Sequence, residues 1–482
     1  MRHYPLAAAT ALLLSACTAG PDYAGPPDLG SAATPGAQFV RGADAVRADQ
    51  PALAQWWTAL GDPVLDDLES RALAGNPGVA AAQARVRQAR SSVALERANR
   101  LPSVGGTGMY AHAQLPGIDL GSGSSSDSTA LDFFNLGLTA NWELDLAGGQ
   151  RRTVEAASAQ AQAAEASVAD AQVQLTAEVA QAYVNLRERQ QRLALLAQQR
   201  DLQQQATGLA QQRLAAGTAP ATLVDQARIA AERTGADIAT ARIEHDAYLN
   251  ALAVLTGAAP GALDAQLAAV QAVPLPPAQV AVGDPGSLLA RRPDVRAAER
   301  AIAAATARIG VAEAARYPRI SFMGILGLGG TSPADLLDLD NLAAIALPQI
   351  QWNFLDLGRN NARAGQAQAA RDEAEAKYRQ AVLNALRDAE DSLARFGRQR
   401  ELVAAMARIA DATAHAAELT RQRYEAGVIP RADALEAERQ ALVARQGLQT
   451  ATAVLTGSYV AVNKALGLGW DAAPQAEPAQ AE

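Results

Sequence analysis

Residues 134–144 alternate between apolar and polar or small side chains. Every second residue from Phe134 to Leu144 is apolar, and the residues between them are polar or glycine. Ile350, Trp352 and Phe354 alternate with glutamine and asparagine in the same way. Because successive side chains of a strand point to opposite faces, this period of two predicts strands. Glycine-rich stretches precede both, so the sequence predicts two strand pairs, 103–144 and 320–354.

About ten alternating residues with tryptophan near one end are typical of a strand in a membrane barrel. Trp142 and Trp352 are then expected at the membrane interface. A half-buried strand of a soluble sandwich is the alternative interpretation. Four strands cannot close a barrel, and open strand edges are not tolerated in hydrocarbon. The pattern therefore predicts that two or three copies share one barrel.

Each strand pair is followed by a very long helical pattern. Residues 150–214 contain no proline and only one glycine, Gly208, and residues 361–424 are similar. At 1.5 Å per residue, each helix is on the order of 100 Å long. Apolar residues in 168–193 keep the three-four spacing of a coiled coil. The pattern predicts extended helical walls rather than a thick core.

The chain repeats itself. Pro77 and Pro293 begin matching segments at a shift of 216 residues, and Trp142 and Trp352 continue the match at a shift of 210. The sequence therefore predicts two copies of one unit, with a loop six residues longer in the first. The predicted boundaries are 61–257 for the first repeat and 291–467 for the second. Residues 17–60, 258–290 and 468–482 are expected outside the repeats.

The amino terminus has the pattern of an export signal. Arg2 and His3 precede a short apolar stretch, and Cys17, the chain's single cysteine, follows Leu14-Ser15-Ala16. These four residues resemble a bacterial lipobox, which implies a signal peptide over 1–16 and a diacylglycerol and an N-acyl lipid on Cys17. A plain secretory signal with an incidental cysteine is the alternative. No other cofactor is expected.

Composition excludes several classes of function. The net charge is −8, whereas a nucleic-acid-binding chain is usually basic. One cysteine permits neither a disulfide framework nor a cysteine-based metal site. The four histidines are scattered, without a metal-binding or nucleophile motif. The sequence predicts that the protein is not an enzyme and has no metal site.

Several segments together resemble the TolC-like outer-membrane efflux proteins. With the lipobox, the chain is most similar to the lipoprotein branch of the OprM or NodT type. The matching segments are 56–65, 76–77, 142–152, 284–294, 423–428 and 464–467.

This resemblance implies a mainly α fold with membrane β: long coiled-coil helices forming an α-helical barrel, and four transmembrane strands per chain. It further implies a homotrimer whose strands close a 12-stranded barrel in the outer-membrane lipid. The implied partners are a periplasmic adaptor protein and an inner-membrane pump of the resistance-nodulation-division class. The implied function is passive export of drugs or other small toxic compounds.

The resemblance also assigns roles at two helical tips. Residues expected to contact the adaptor are Arg213, Gly217, Thr218, Arg423, Gly427 and Val428. Asp433 and Glu436 match family acids that line the pore constriction, and Tyr424 matches a tyrosine that latches the closed mouth. An ordinary solvated helix face beside Arg431 and Arg439 is the alternative for the two acids. At the first tip, Leu223 stands where an acid would be expected.

Two other functions stay open at this point. The same conduit could serve type I protein secretion or metal-ion efflux. A lipid-anchored coiled-coil scaffold without a pore is the alternative from a different class.

Overall fold

The computed structural model describes residues 18–27, 39–41, 46–47, 54–115 and 129–470. The predicted signal peptide, Cys17, residues 116–128 and the predicted tail from 471 onward lie outside the described residues. Long helices and one four-stranded sheet make up most of the described chain.

Nine α-helices are present in the described residues. They are α1 (Pro63–Gly75), α2 (Pro77–Ala98), α3 (Gly149–Ala215), α4 (Ala221–Leu255), α5 (Asp264–Leu267), α6 (Pro285–Arg291), α7 (Pro293–Ala314), α8 (Arg359–Glu425) and α9 (Arg431–Ala465). Short 3-10 turns lie at Trp56–Leu60, Pro333–Leu337 and Leu339–Asn341. In the described part of the chain, no helix is both long and apolar enough to span a membrane.

The strands form two sheets. A parallel pair joins β1 (Val46–Arg47) to β4 (Val280–Ala281). The larger sheet is antiparallel, in the order β2 (Ser103–Leu115), β3 (Thr129–Leu144), β5 (Arg319–Gly330) and β6 (Leu342–Gln351). The first and last strands, β2 and β6, are the two edges of this sheet.

The end of the second strand pair differs from its predicted limit. Trp352 and Phe354 were expected inside the strand, but β6 ends at Gln351. Gln351 pairs with Arg319, which is the first residue of β5, so the following residues have no strand opposite them. The six extra residues of the first repeat are likewise not confined to the loop, because β2 and β3 are longer than β5 and β6.

The chain divides into two compact units. The first unit comprises 1–27, 85–164 and 298–378, and it contains the four-stranded sheet. The second comprises 28–84, 165–297 and 379–482.

The core of the second unit is built around aromatic residues. Trp56 is 1% exposed, and its ring makes edge contacts with Trp57 and Tyr459 at centroid distances of 5.9 and 5.8 Å. The Tyr459 hydroxyl donates a 3.0 Å hydrogen bond to the Trp56 carbonyl, and burial raises the pKa of Tyr459 to about 12. These contacts hold the segment before α1 against the end of α9.

Asp62 links α1 to the long helix α3. One carboxylate oxygen caps α1 by accepting from the backbone of Val64 and Leu65, and the other accepts a 2.6 Å bond from the Tyr183 hydroxyl. Arg187, which is fully buried, lies over the Tyr183 ring at 4.8 Å and donates to the Ala269 carbonyl at 2.7 Å. One cap residue therefore also orients a buried aromatic residue and its arginine.

Glu69 is an acid within this core. It is fully buried on α1, and neither of its carboxylate oxygens has a hydrogen-bond partner. Burial, with a smaller contribution from the negative charge of Asp66, raises the pKa of Glu69 well above its ordinary value. Because the folded state holds this proton more tightly than the unfolded state, stability decreases as the pH rises above the ordinary glutamate pKa.

We expect Glu69→Gln to make apparent thermal stability less dependent on pH. At pH 4 the variant should match the wild type, because Glu69 is largely protonated in both states. Its advantage should then grow by up to about 1.4 kcal/mol per pH unit until the folded pKa is reached. Thermal melts in detergent from pH 4 to 9 measure this, with Glu401→Gln, an exposed acid, as the control. Parallel curves for wild type and Glu69→Gln would contradict the prediction.

Candidate functional site

One face of the four-stranded sheet is mostly apolar, and its polar residues, His112, Gln114 and Asp132, lie together near the far end of β2 and the start of β3. The pairing register puts Val104, Ala140, Gly324 and Ala346 in one row across the sheet. Moving two residues along each strand gives the next row of the same face. Its larger apolar members are Val104, Tyr110, Phe134, Leu136, Leu138, Trp142, Ile320, Phe322, Leu326, Leu328, Leu342, Pro348 and Ile350. The opposite face carries serine, threonine, asparagine and glutamine among small and apolar residues. A lipid-facing and a lumen-facing side have this distribution.

Aromatic rings lie near both ends of the apolar face. Trp142 stacks on Phe322 at 5.8 Å, and Tyr110 packs on Phe134 at 4.9 Å. Phe134 and Trp142 are eight residues apart on β3, or about 27 Å along the strand. After a tilt of about 40°, the separation is roughly 20 Å across the membrane, close to the height of a barrel's apolar band.

The two tryptophans make equivalent hydrogen bonds. The Trp142 indole N–H donates to the Arg100 carbonyl, and the Trp352 N–H donates to the Arg316 carbonyl, both at 3.1 Å. Arg100 and Arg316 occupy matching positions in the two repeats. Each indole therefore sits at the helix-to-strand junction of its own repeat.

The segment that follows Cys17 lies against the end of β3. The Ala19 N–H donates to the Ala147 carbonyl at 2.9 Å, and a side chain at Gly148 (φ +74°) would collide with Thr18. Arg152, 4% exposed, donates to the carbonyls of Ala19 and Gly20 and to the carboxylate of Asp22. Residues 18–22 are thereby held within a few residues of the last membrane-strand position.

Both helical tips have the same backbone conformation. Gly217 and Gly427 have φ values of +70° and +73°. The Thr218 N–H donates to the Arg213 carbonyl at 2.8 Å, and the Val428 N–H donates to the Arg423 carbonyl at 2.9 Å. This six-to-one bond with a left-handed glycine is the Schellman motif, which ends a helix without leaving its last carbonyls unpaired.

Arg431 connects the second tip to its surroundings, a role that the sequence reasoning missed. Its guanidinium lies 5.2 Å from the centroid of the Tyr424 ring and donates to Glu438 at 3.2 Å. It also donates to Gln205 of α3 at 2.8 Å. The only sign of the Tyr424 contact in the sequence is that Arg431 follows the tyrosine by seven residues, on the other side of the turn.

The two acids predicted for a pore constriction are both exposed but differ in their partners. Glu436 accepts two hydrogen bonds from Arg439, at 2.5 and 2.8 Å, and these bonds lower the pKa of the Glu436 carboxyl. Asp433 lies one turn earlier, in the first turn of α9. The residues at matching positions of the first hairpin, Leu223 and Gln226, are uncharged.

A groove of about 210 Å³ lies between the two hairpins near these tips. Its walls are mostly apolar, with Leu209, Leu223 and Leu435 among them, and Arg213, Glu436 and Arg439 supply its charged groups. All of its lining residues come from α3, α4 and α9.

Residues 68–258 and 285–468 each match the model of the family described as "Outer membrane efflux protein". These two ranges together span most of the chain and coincide with its two repeats. The chain belongs to the outer membrane efflux protein family. The resemblance inferred from the sequence is therefore confirmed.

Individual relatives match this chain along nearly its full length. Outer membrane protein OprJ of Pseudomonas aeruginosa is 32% identical over 96% of this chain and 95% of its own length. The pyoverdine export outer membrane protein OpmQ of the same organism is 33% identical over 95% of each chain. The solved outer-membrane channel OprN is 32% identical with a TM-score of 0.82, covering 94% of this chain and all of its own.

This efflux protein is the outer-membrane channel of a tripartite efflux pump and is located in the outer membrane. It therefore works with a periplasmic adaptor and an inner-membrane pump. As a member of this family it is a conduit and not an enzyme. The predicted combination of long helices with membrane strands is also confirmed.

We expect Arg431→Ala to loosen the second tip. The change removes the stacking on Tyr424, the ion pair with Glu438 and the bond to Gln205, together worth about 1–2 kcal/mol. Hydrogen exchange at residues 422–430 should then become roughly tenfold faster.

Arg421→Ala is the control, because within the described residues Arg421 forms ion pairs only with exposed Glu418 and Glu425 on its own helix. Equal exchange rates in the two variants would show that Arg431 does not hold the tip.

Proposed function

We propose that the chain forms a lipid-anchored homotrimeric channel that exports small toxic compounds or drugs for a pump of the resistance-nodulation-division class. The open sheet carries the trimer part of this proposal. Both edge strands are available for pairing, every residue of β6 is exposed, and an unpaired edge is not stable in hydrocarbon. Three copies of four strands give twelve, an even number in the range of membrane barrels.

The substrate is proposed only as a class. Relatives of similar identity are named for different cargoes: pyoverdine for OpmQ at 33%, cations for CusC of Escherichia coli at 28%, and toluene for TtgF of Pseudomonas putida at 30%. Channels this similar therefore serve different cargoes. We therefore assign the choice of cargo to the pump and adaptor and not to the channel wall.

The groove at the tips supports docking of the adaptor there. A helical hairpin from a partner needs an apolar surface with a few charges at its rim, and the groove supplies both. Arg213 of the first tip lines it directly, and Arg439 lies at its other side. We assign the remaining tip residues Gly217, Thr218, Gly427 and Val428 to the same contact, together with Arg423.

Lipidation of Cys17 is supported by the position of the next residues. Residues 18–22 are bound beside residues 147–152, directly after the end of β3. An acyl chain on Cys17 would thus begin at the level where the strands enter the lipid. A diacyl anchor with a third acyl chain holds a protein firmly, whereas a single chain does not.

Intact mass tests the anchor. The wild-type protein should begin at residue 17 and carry the mass of a diacylglycerol plus one acyl chain, and it should incorporate labelled palmitate. Cys17→Ala should incorporate none, because the thioether cannot form. A wild-type mass equal to that of an unmodified chain would refute lipidation.

Planar-bilayer recording tests the channel and its acidic constriction together. We expect cation-selective conductance that Asp433→Asn reduces more than Glu436→Gln does, because Arg439 already compensates the charge of Glu436. An exposed charge contributes on the order of 0.5 kcal/mol, so the cation-to-anion permeability ratio should fall by about twofold.

Asp225→Asn is the matched control, an exposed acid on the first hairpin. Identical permeability ratios in all variants would overturn the constriction. No conductance in any variant, including Arg431→Ala, would overturn the channel.

A further inference from the structure

The face of the large sheet that lies opposite the apolar face carries almost no charge. We call it the lumen face. It contains every second residue along each strand, counted from four residues that pair in one row: Ser103, Asn141, Met323 and Leu347. Among its described residues only Glu143 and Arg319 are ionisable, and both lie at the end of the sheet nearest the helices. The rest of this face is neutral.

An apolar patch lies on the lumen face at β5 and β6. Met323 is opposite Leu347, and Ile325 is opposite Ile345, so two neighbouring cross-strand pairs bring four apolar side chains together. Ile345 and Leu347 are nevertheless 47% and 41% exposed. Because the interior of a water-filled barrel is usually polar, these four residues, the lumen patch, depart from the common pattern.

Uncharged hydrogen-bonding groups border the lumen patch. On β3, Asn141 is opposite Met323, and Thr139 is opposite Ile325. An asparagine amide both donates and accepts hydrogen bonds, and so does a threonine hydroxyl. An apolar surface beside a few neutral polar groups is the usual chemistry of a site for a small organic molecule.

A second apolar group lies farther along the lumen face. Its members are Leu131 and Phe133 of β3 and Met109 of β2, and all three are exposed. Phe133 is eight residues from Asn141, which is about 27 Å along the strand and roughly 20 Å along the axis of a barrel whose strands tilt by about 40°. A molecule that crosses the barrel therefore meets apolar side chains at two levels.

We propose that the lumen patch retains uncharged amphipathic molecules during their passage through the barrel. The apolar part of such a molecule packs on Ile345 and Leu347, and its polar groups bond to Asn141 and Thr139. The occupant is the transported molecule, so this inference rests on the proposed channel. Retention acts on a molecule that the pump has already delivered, and the choice of cargo stays with the pump and adaptor.

The distribution of charge favours an uncharged occupant. Glu143 and Arg319 have opposite signs and lie on the same side of the lumen patch, so together they add no net charge beside it. An ion that settled on the patch would lose hydration without gaining a counter-charge. Changes within the patch should therefore alter the retention of uncharged molecules and leave ion selectivity as it is.

Current noise in planar bilayers measures this retention. The probe is naphthyl glucoside, an uncharged molecule with an aromatic body, and the reference is maltose, which has a similar size but no apolar body. Each retained molecule reduces the current for as long as it stays. Naphthyl glucoside should therefore add low-frequency noise to the wild-type current, and maltose should add none.

A double variant tests the residues. Ile345→Asn with Leu347→Asn should shorten the residence time of naphthyl glucoside about fivefold, because it removes apolar contact area. A barrel interior accommodates polar side chains, so this variant should still assemble. Gln349→Asn, a polar exchange on the same face of β6, is the matched control and should leave the residence time unchanged. Ion selectivity should be equal in all three proteins, because no charge is altered.

The outcomes separate the lumen patch from the channel. Conductance without added noise from naphthyl glucoside, or with the same noise in the wild type and the double variant, would overturn the lumen patch and leave the channel intact. Longer retention of naphthalene sulfonate than of naphthyl glucoside would overturn the uncharged occupant. No conductance from any of these proteins would overturn the proposed channel and this inference with it.

Discussion

An unpaired strand edge cannot remain in hydrocarbon, and this constraint governs the architecture of the chain. Backbone N–H and C=O groups at an open edge lose water without gaining a partner, at several kcal/mol for each group. The four-stranded sheet has two such edges. The apolar face and the aromatic rings at both ends fit lipid, so the edges need other copies.

Matching helix surfaces of the two repeats carry different residues. Where α3 packs on α7, alanines let the helices approach closely, as tight packing of small residues requires. The matching surfaces of α2 and α8 carry arginine and glutamine instead, which the chain can expose to water.

The regular patterns of the chain were readable from its sequence, and its specific contacts were not. Period-two alternation located the strands, and long stretches without proline located α3 and α8, because these signals are local. The end of β6 was misplaced because Trp352 continues the alternation after its partner strand has begun at Arg319. The roles of Arg187, Glu69 and Arg431 depend on residues more than eighty positions away or on burial, and periodicity reports neither. The lipobox at Cys17 was visible, but the contacts that hold residues 18–22 beside β3 were not.

The two tips share a backbone conformation but differ in their side chains. Tyr424, Arg431, Asp433 and Glu436 of the second hairpin have Leu214, Ala221, Leu223 and Gln226 as counterparts in the first. At these four positions the first hairpin is uncharged, while the second carries three charged residues and the ring on which Arg431 stacks. In a trimer, all six tips would share one backbone conformation, but the charged side chains of the second tip would repeat only three times. Because Arg431 donates to Gln205 of α3, any movement of the second hairpin away from α3 would break that contact.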